Sequence, residues 1–256
     1  ELQKDIKKRK RTEEELKHAK QKAEKSDKLK SEFLAQMSHE IRTPVSSLLS
    51  FSNLIKEETI DTLDPAIAES FDVIDNAGRR ITRTIDLILN MSQIQTGSYE
   101  AKFQEFDLQQ RVINNIYNEY RKIASDKGLD LKIKKAGTDT RLLADEYTVF
   151  QIINNLVDNA VKYTHSGNVE IRVKNISENK LNVEVEDTGI GISEEYLPNI
   201  FNEFSQEQQG YTRKYDGNGL GLALVKRYCE INNAEIKVES KKGVGTKFEV
   251  TFEVDE

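Results

Sequence analysis

Hydrophobic positions in the N-terminal part of the chain follow the periodicity of packed α-helices. Between residues 34 and 55, apolar side chains recur in alternating steps of three and four, at Leu34, Met37, Ile41, Pro44, Leu48, Phe51 and Ile55. A second series of this kind follows at Ile67, Phe71, Ile74, Gly78, Ile81, Ile85 and Ile88. Such spacing is the a/d seam of a helix in a bundle. It predicts two helices, joined by a connector at residues 57–65, that form an antiparallel hairpin.

A two-helix hairpin cannot cover its own apolar seam, so we expect it to dimerise into a four-helix bundle. Upstream, residues 1–30 keep only a weak heptad at Leu2, Ile6, Leu16 and Ala23, and polar residues interrupt it. This pattern predicts a marginal coiled coil that continues into the first helix. The basic run at residues 7–11 is either a solvated helix face or a juxtamembrane patch.

The pattern changes after Gly97, and the rest of the chain alternates between short strands and amphipathic helices. Strands are predicted at residues 101–106, 129–134, 168–174, 180–186, 235–239 and 245–252, and helices at 108–127, 147–163 and 217–231. Helices mixed with antiparallel strands, including a final hairpin, favour an α/β two-layer sandwich. The predicted fold class is therefore α + α/β, with a helical hairpin followed by this sandwich.

Composition narrows the class of protein. The chain has 44 acidic and 38 basic side chains and a net charge of −6, which argues against a dedicated nucleic-acid binder. Cys229 is the only cysteine, so no intrachain disulfide forms and a reducing compartment is expected. No apolar run approaches the roughly 18 residues of a membrane span. The chain opens on Glu1, so we expect the cytoplasmic portion of a longer protein, in contact with a membrane only through segments absent here.

His39 is the first candidate for chemistry. Counted from Leu34 as position a, it falls at f, the heptad position that points furthest from a partner helix. Glu40 lies beside it, and Thr43 follows one turn later on the same face. A solvent-facing imidazole next to a carboxylate is a candidate nucleophile, although an ordinary exposed histidine fits the fragment equally well.

The helix predicted at residues 147–163 carries polar side chains on a face that is otherwise apolar. Asn155 and Asn159 lie one turn apart, and Asp158 and Lys162 repeat that spacing. Burying such groups is costly unless they bind something. Asn159 is suited to Mg²⁺ and Lys162 to phosphates. The alternative is an exposed helix face.

Two glycine-rich segments complete the candidate site. In the first, residues 187–192, Asp187 directly follows a predicted strand, where its carboxylate can accept a hydrogen bond from an exocyclic amine such as adenine N6. The aspartic-protease reading of Asp-Thr-Gly is disfavoured because the motif occurs alone in a helix-rich chain. The second, residues 216–222, runs into a helix and exposes backbone N–H groups to a phosphate. It follows no strand, so a dinucleotide-binding fingerprint is disfavoured.

Residues 193–215 lie between the two glycine-rich segments and are predicted to form a lid. They are polar, with Phe201 and Phe204 expected to anchor one end and Arg213 available to phosphates.

Together these segments resemble the catalytic core of the two-component sensor histidine kinases. Residues 39–44 resemble the H box, 155–163 the N box, 187–191 the G1 box, 201–204 the F box and 217–221 the G2 box, in the family's order. The G2 box departs from many relatives at Asp216 and Asn218, yet its three glycines are present. The resemblance implies a dimerisation and phosphotransfer hairpin followed by a Bergerat-type ATP-binding domain. It implies domains at residues 1–30 (signalling coiled coil), 31–97 and 98–256.

The resemblance and the residues together imply roles for the site. Asn159 is the expected Mg²⁺ ligand. The residues expected to bind ATP come from the four boxes of the second domain and from the lid: Asn155, Asn159, Lys162, Tyr163, Asp187, Gly189, Gly191, Phe204, Arg213, Gly217, Gly219 and Gly221. His39 is expected to attack the γ-phosphorus while Glu40 takes the imidazole proton. Thr43 either orients water during dephosphorylation of the partner or is a plain surface residue. The expected partners are a second copy of the chain and the receiver domain of a response regulator.

Two other classes compete with this interpretation. A chaperone-type or topoisomerase-type ATPase of the same nucleotide-binding superfamily explains the second domain but not His39. A pseudokinase that serves as a dimeric scaffold is disfavoured because no motif residue is missing.

Overall fold

The computed structural model of the protein describes residues 2–59, 64–135, 139–177, 179–207 and 218–254. Within them the chain forms two compact units, Glu1–Tyr99 and Glu100–Glu256, and each is described by itself. The described helices include none with the length and apolarity needed to cross a membrane.

The N-terminal unit consists of two helices, α1 (Leu2–Thr59) and α2 (Pro65–Gln95). Pro44 lies inside α1, where it supplies no N–H to the helix ladder. Gly97 follows α2 at φ +67°, the left-handed conformation that ends many helices. There the N–H of Ser98 bonds to the carbonyl of Gln93 at 2.9 Å. The predicted hairpin is confirmed.

The predicted apolar seam of α2 is divided between two sides of the helix. Phe71, Gly78 and Ile85, seven residues apart, are half-buried or buried, whereas the alternate seam isoleucines (Ile67, Ile74, Ile81 and Ile88) are 37–51% exposed. The upper seam of α1 is likewise uncovered, with Leu48 67% exposed. A single chain therefore covers only part of its hydrophobic stripe, as expected of a hairpin that needs a partner.

Polar pairs and one close contact hold α1 against α2. Arg42 Nη2 lies 2.5 Å from Asp86 Oδ1, and Lys56 Nζ lies 2.5 Å from Asp72 Oδ1. Between these pairs, a Cβ at Gly78 would stand 2.5 Å from Leu49 Cδ2, so the helices approach closely there. The described contacts between the helices thus rely on ion pairs and a small residue as well as on apolar packing.

Part of the first helix cannot be compared with the sequence expectation. The side chains of Leu2, Ile6 and Ala23, and those of the basic run apart from Arg9, lie outside the described set, as do residues 60–63 of the connector. Leu16, the remaining predicted heptad residue, is 69% exposed.

The C-terminal unit contains a five-stranded sheet, a two-stranded ribbon and a layer of helices. The elements are β1 (Phe103–Asp107), a π-helical turn (Gln109–Ile113), α3 (Asn114–Asp126), β2 (Leu129–Lys135), β3 (Arg141–Asp145), α4 (Glu146–Tyr163), β4 (Gly167–Ser177), β5 (Lys180–Asp187), a 3₁₀ turn (Leu197–Asn199), α5 (Gly221–Ile231), β6 (Glu235–Lys241) and β7 (Gly245–Glu253). The sheet order is β2-β4-β5-β7-β6, and β1 pairs with β3 in the ribbon. Only β2 and β4 pair in parallel within this sheet.

The two faces of the sheet differ in character. Alternate residues of β4, β5 and β7 build a fully buried core with helices α4 and α5, represented by Ile171, Val183, Phe252, Leu156 and Leu224. The opposite face is ionic: Arg172 pairs with Glu170, with Glu184 at 3.3 Å and with Glu186 at 2.6 Å. A sheet with one apolar and one charged face needs a single helical layer, which confirms the predicted two-layer sandwich.

Two helix starts and one strand depart most from the sequence expectation. The helix predicted from residue 108 begins as a π-helical turn, and strand β3 was not predicted. The helix predicted from residue 217 begins instead at Gly221, because Gly219 takes φ +70° and leaves the helical region.

Candidate functional site

Helix α4 presents the N-box residues. Asp145 caps its N-terminus by accepting the N–H of Thr148 at 2.8 Å. The apolar face of α4, including Val149, Ile153 and Val157, is fully buried. Asn155, Asn159 and Lys162 therefore share a separate face of a helix whose orientation the core fixes.

The two N-box asparagines differ in accessibility. Asn155 is 4% exposed, and its Nδ2 donates to the carbonyl of Gln151 at 2.8 Å. Asn159 is half-buried, and its amide makes no hydrogen bond to any residue that the structure describes. An available amide oxygen at this position fits the Mg²⁺ ligand that the sequence predicts. No cluster of three acidic, His or Cys side chains for a metal occurs among the described residues.

The C-terminal end of α4 carries the predicted phosphate and base contacts. Lys162 Nζ lies 4.9 Å from the ring centroid of Tyr163, a cation–π contact that restrains both side chains. Tyr120 on α3 donates its hydroxyl to Asp158 Oδ1 at 3.2 Å. The carbonyl of Tyr163 accepts the N–H of Ile190, which places the end of the helix beside the first glycine-rich segment.

Asp187 is the last residue of β5 and lies on the sheet face that carries the core. It is 9% exposed, and Oδ1 accepts the N–H of Gly189 at 2.8 Å. Burial raises the pKa of Asp187 to about 6, against the lowering effect of hydrogen bonds from the backbone of Gly189 and Thr246. A desolvated carboxylate in this state is suited to accept a hydrogen bond from a ligand amine.

The raised pKa predicts a pH dependence of adenine binding. Above about pH 6 Asp187 is ionised and, in the role that the sequence predicts, would accept from the 6-amino group of adenine, whereas below that pH the proton would block the contact. The affinity for ADP is therefore expected to fall by up to about tenfold per pH unit below that value. Calorimetric titration between about pH 5 and pH 8 measures it. Since Asp187→Asn cannot titrate, that variant should show only the dependence of the phosphates, and equal profiles for both proteins would contradict the prediction.

The glycines after Asp187 form a cradle of close backbone contacts. A Cβ at Gly189 would lie 2.5 Å from the carbonyl oxygen of Tyr163, which accepts the N–H of Ile190 at 3.2 Å. Gly191 has φ +62°, and a Cβ there would lie 2.0 Å from the carbonyl oxygen of Lys241. The structure thus brings the N box and the G1 box together and leaves no room for larger residues.

The second glycine-rich segment meets the F box through the backbone. The N–H of Phe204 donates to the carbonyl of Gly219 at 3.0 Å, and Phe204 itself has φ 59°. The Phe204 side chain is 69% exposed, so the contact with Gly219 is made by its backbone and not by its ring. A side-chain pattern does not reveal such a main-chain contact. Gly221 opens α5, where a Cβ would lie 3.2 Å from Asn155 Oδ1, and Arg213 and Gly217 lie outside the described residues.

Thr246 was missed by the sequence argument. Its backbone hydrogen bond reaches Asp187, and the preceding Gly245 (φ +144°) would place a Cβ 2.0 Å from the Asp187 carbonyl. A signal for it lies in the two glycines at 243 and 245, close to the start of the last predicted strand.

The phosphoacceptor candidates lie on α1 in the N-terminal unit. His39, Glu40 and Thr43 are all exposed, as the heptad position of His39 predicted. Thr43 Oγ1 donates to the carbonyl of His39 at 3.1 Å, which fixes the threonine one turn from the imidazole. Among the described residues, His39 and Glu40 share no hydrogen bond; the exposure of His39 leaves its imidazole accessible to an incoming group.

Comparisons with known proteins agree with this arrangement. Residues 29–97 match the model of the His Kinase A (phospho-acceptor) domain, and residues 144–256 match that of the histidine kinase-, DNA gyrase B- and HSP90-like ATPases. The autoinducer 2 sensor kinase/phosphatase LuxQ of Vibrio vulnificus is 35% identical over 93% of this chain and 28% of its own length.

Solved structures show the same fold. Full-length ShkA in complex with AMPPNP has a TM-score of 0.70 and 25% identity, over 88% of this chain and 46% of that one. The histidine kinase ThkA in complex with the response regulator protein TrrA has a TM-score of 0.59 at 24% identity, over 88% of this chain and 61% of that one.

The chain joins a phosphoacceptor domain to an ATPase domain of the histidine kinase class. It belongs to the sensor histidine kinases, and it spans only about a quarter of the length of the LuxQ proteins that it matches.

Proposed function

We propose that this chain phosphorylates His39 with the γ-phosphate of ATP and passes the phosphoryl group to an aspartate of a response-regulator receiver domain. The observation that carries the proposal is the pairing, in one chain, of an exposed histidine in a phosphoacceptor domain with a purine site. That site combines the desolvated carboxylate of Asp187 with the backbone cradle at Gly189. A nucleotide-binding fold without His39 would serve other ATPases equally well.

The proposed first step is an in-line displacement at phosphorus. A ring nitrogen of neutral His39 forms the P–N bond while the bond from phosphorus to the β–γ bridging oxygen breaks, and ADP leaves. The proton on the other ring nitrogen passes to Glu40, which restores a neutral ring. Lys162 offsets phosphate charge, and Asp187 orients the adenine. Asn159, with Asn155 one helical turn before it, would hold Mg²⁺, and that ion would supply positive charge to offset the charge that develops on the phosphates.

The proposed second step returns the phosphoryl group to an oxygen nucleophile. Exposure of His39 on α1 leaves the imidazole open to a receiver aspartate after ATP has reacted. The ThkA complex with the response regulator protein TrrA supports a partner of this class. The kinase/phosphatase name of LuxQ supports a reverse activity, in which Thr43 would orient the water that hydrolyses the phosphorylated regulator.

We also propose the assembly and the division of labour along the chain. The exposed seam residues of α1 and α2 would pack against a second copy to give a four-helix bundle. Residues 1–30 would act as a signalling coiled coil, 31–97 as the dimerisation and phosphotransfer domain, and 98–256 as the catalytic domain. The chain would work as a cytoplasmic portion, tied to a membrane only through other segments of its parent.

Radiolabelled ATP tests the proposal. With label at the γ-phosphate, the protein is expected to acquire a phosphoryl group that is labile in acid and stable in alkali, as a P–N bond requires. ATP hydrolysis without a labelled protein would instead identify an ATPase of the chaperone or topoisomerase type.

Asn159→Ala is expected to abolish labelling while leaving the dimer intact, because it removes the proposed metal ligand from a folded helix. The matched control is Asn154→Ala, on the same helix, where Asn154 Oδ1 is buried and has no hydrogen-bond partner among the described residues. That control should label normally. Labelling of Asn159→Ala at the wild-type rate would contradict the metal assignment, and loss of the dimer would contradict the separation of the two domains.

A further inference from the structure

The Asp187 segment is fastened to the β6–β7 hairpin. The N–H of Gly243, in the hairpin turn, donates to the carbonyl of Ile190 at 2.8 Å. On either side of this bond, the contacts of Gly191 with Lys241 and of Gly245 with Asp187 are close enough to exclude any Cβ. The two segments therefore behave as one packed layer, and a displacement of the hairpin is transmitted to Asp187.

Ser240 lies at the centre of this contact, near the end of β6. Its Oγ accepts the N–H of Ile192 at 2.8 Å and donates to the carbonyl of Gly245 at 2.9 Å. It also lies 2.9 Å from Thr246 Oγ1. With its own hydrogen given to Gly245, Ser240 accepts from the Thr246 hydroxyl as well as from Ile192. A serine hydroxyl has one hydrogen and two lone pairs, so this arrangement uses its full capacity.

The hydrogen-bond partners of Ser240 lie on both sides of Asp187, whose carboxylate is proposed to accept a hydrogen bond from adenine. Ile192 ends the segment that begins at Asp187, and Thr246 donates its backbone N–H to Asp187 from the other side. Thr246 is buried, so water does not readily replace a lost hydroxyl partner. Ser240 itself is in neither glycine-rich segment and was not assigned to the site by any sequence motif considered above.

We propose that Ser240 is a positioning residue for adenine recognition, which holds the Asp187–Ile192 segment against Thr246 so that Asp187 meets the 6-amino group of the purine. This inference rests on the proposed binding of ATP. Ser240 acts through Ile192, Gly245 and Thr246, and it needs no contact with the nucleotide.

The effect of removing the hydroxyl is specific to the purine 6-position. Without the Ser240 hydroxyl, the Ile192 N–H and the Gly245 carbonyl lose a shared hydrogen-bond partner. The Asp187–Ile192 segment then becomes less firmly held, and the orientation of the Asp187 carboxylate is less well fixed. A hydrogen bond to an ionised acceptor depends strongly on alignment. ADP, which carries a 6-amino donor, should lose affinity, whereas IDP, which carries a 6-oxo group and makes no such donation, should lose none.

The experiment measures dissociation constants of ADP and IDP by calorimetry on the purified full chain. The wild-type protein is expected to prefer ADP by about 100-fold, since a site built for a hydrogen bond rejects the analogue that lacks it. Ser240→Ala should raise the ADP dissociation constant about tenfold and change that of IDP by less than about twofold. Ser240→Thr, which keeps the hydroxyl, should restore most of the preference. Ser177→Ala, an exposed strand serine in the same sheet, is the matched control and should bind as wild type.

The outcomes separate this inference from the function on which it rests. Unchanged ADP affinity in Ser240→Ala overturns the role of Ser240, and so does an equal loss for ADP and IDP, which would mark a purely structural serine. A wild-type protein that binds neither nucleotide overturns the proposed function itself. If Ser240→Ala does not fold, as judged by thermal unfolding, Ser240→Cys keeps a weaker hydrogen-bonding group and should show a smaller loss of the same preference.

Discussion

Replacing His39 by glutamine is expected to reduce phosphoryl incorporation from γ-labelled ATP at least about a thousandfold, because a carboxamide is not a nucleophile. Glutamine keeps a polar side chain of similar reach at an exposed position of α1, so the helix should be preserved. Nucleotide affinity should also be preserved, since the purine site lies in the other unit. The measurement is a time course of labelling, with ADP affinity determined on the same sample.

The chain provides its own controls for this variant. It contains only two other histidines, His18 and His165, and both are exposed. His18 lies on the same helix as His39. The control variants His18→Gln and His165→Gln should both be labelled like the wild-type protein. If His39→Gln still acquires acid-labile label, His39 is not the phosphoacceptor and the proposed function is contradicted. If a control variant loses the label, the phosphoacceptor is a residue other than His39.

Gly191→Ala is expected to have the second largest effect, a loss of nucleotide affinity of about 100-fold. The added Cβ would lie 2.0 Å from the carbonyl oxygen of Lys241, far inside van der Waals contact, so the segment that follows Asp187 must move. A displacement of about 1 Å at a binding site is enough for a loss of this order. ADP affinity measured by calorimetry, together with the unfolding temperature, tests the expectation.

Gly243→Ala is the matched control for that substitution. Gly243 has φ +78°, similar to the φ +62° of Gly191, but nothing lies within 4 Å of its added Cβ. Both variants pay the left-handed backbone cost of roughly 1–2 kcal/mol, and only one meets an obstacle. Equal losses of nucleotide affinity in the two variants would show that backbone strain, and not the contact with Lys241, is responsible.

The helical part of the fold was predictable because its signal is repeated many times. The seam from Leu34 to Ile88 gave both helices of the hairpin, and Gly97 marked the end of the second. Strand β3 was not recognised, because its three apolar residues, Leu142, Leu143 and Ala144, are consecutive and show no alternation in the sequence. The strand is paired only with β1 in the ribbon. The π-helical turn before α3 has no side-chain pattern of its own.

The part of the candidate site that could be predicted from the sequence is the part in which a carboxylate is followed closely by glycines. Asp187, Gly189 and Gly191 stand out because a carboxylate after a strand and a tight turn leave a mark in the sequence. Phe204 was harder to interpret, since an aromatic residue is expected to bury its ring, and here its backbone makes the contact. Ser240 and Thr246 act through hydrogen bonds across two strands, which depend on register and not on local pattern.

The two units of the chain are expected to fold in different ways, because part of the apolar seam of the N-terminal hairpin is exposed. Phe71, Gly78 and Ile85 lie on the covered side of α2, whereas the alternate seam isoleucines of α2 and Leu48 of α1 are exposed. With a second copy as the proposed cover, part of the hydrophobic free energy of the hairpin is gained between molecules, and its folding is coupled to a bimolecular equilibrium governed by concentration. The ATPase unit keeps its apolar core within one chain and therefore folds by a unimolecular reaction, indifferent to dilution.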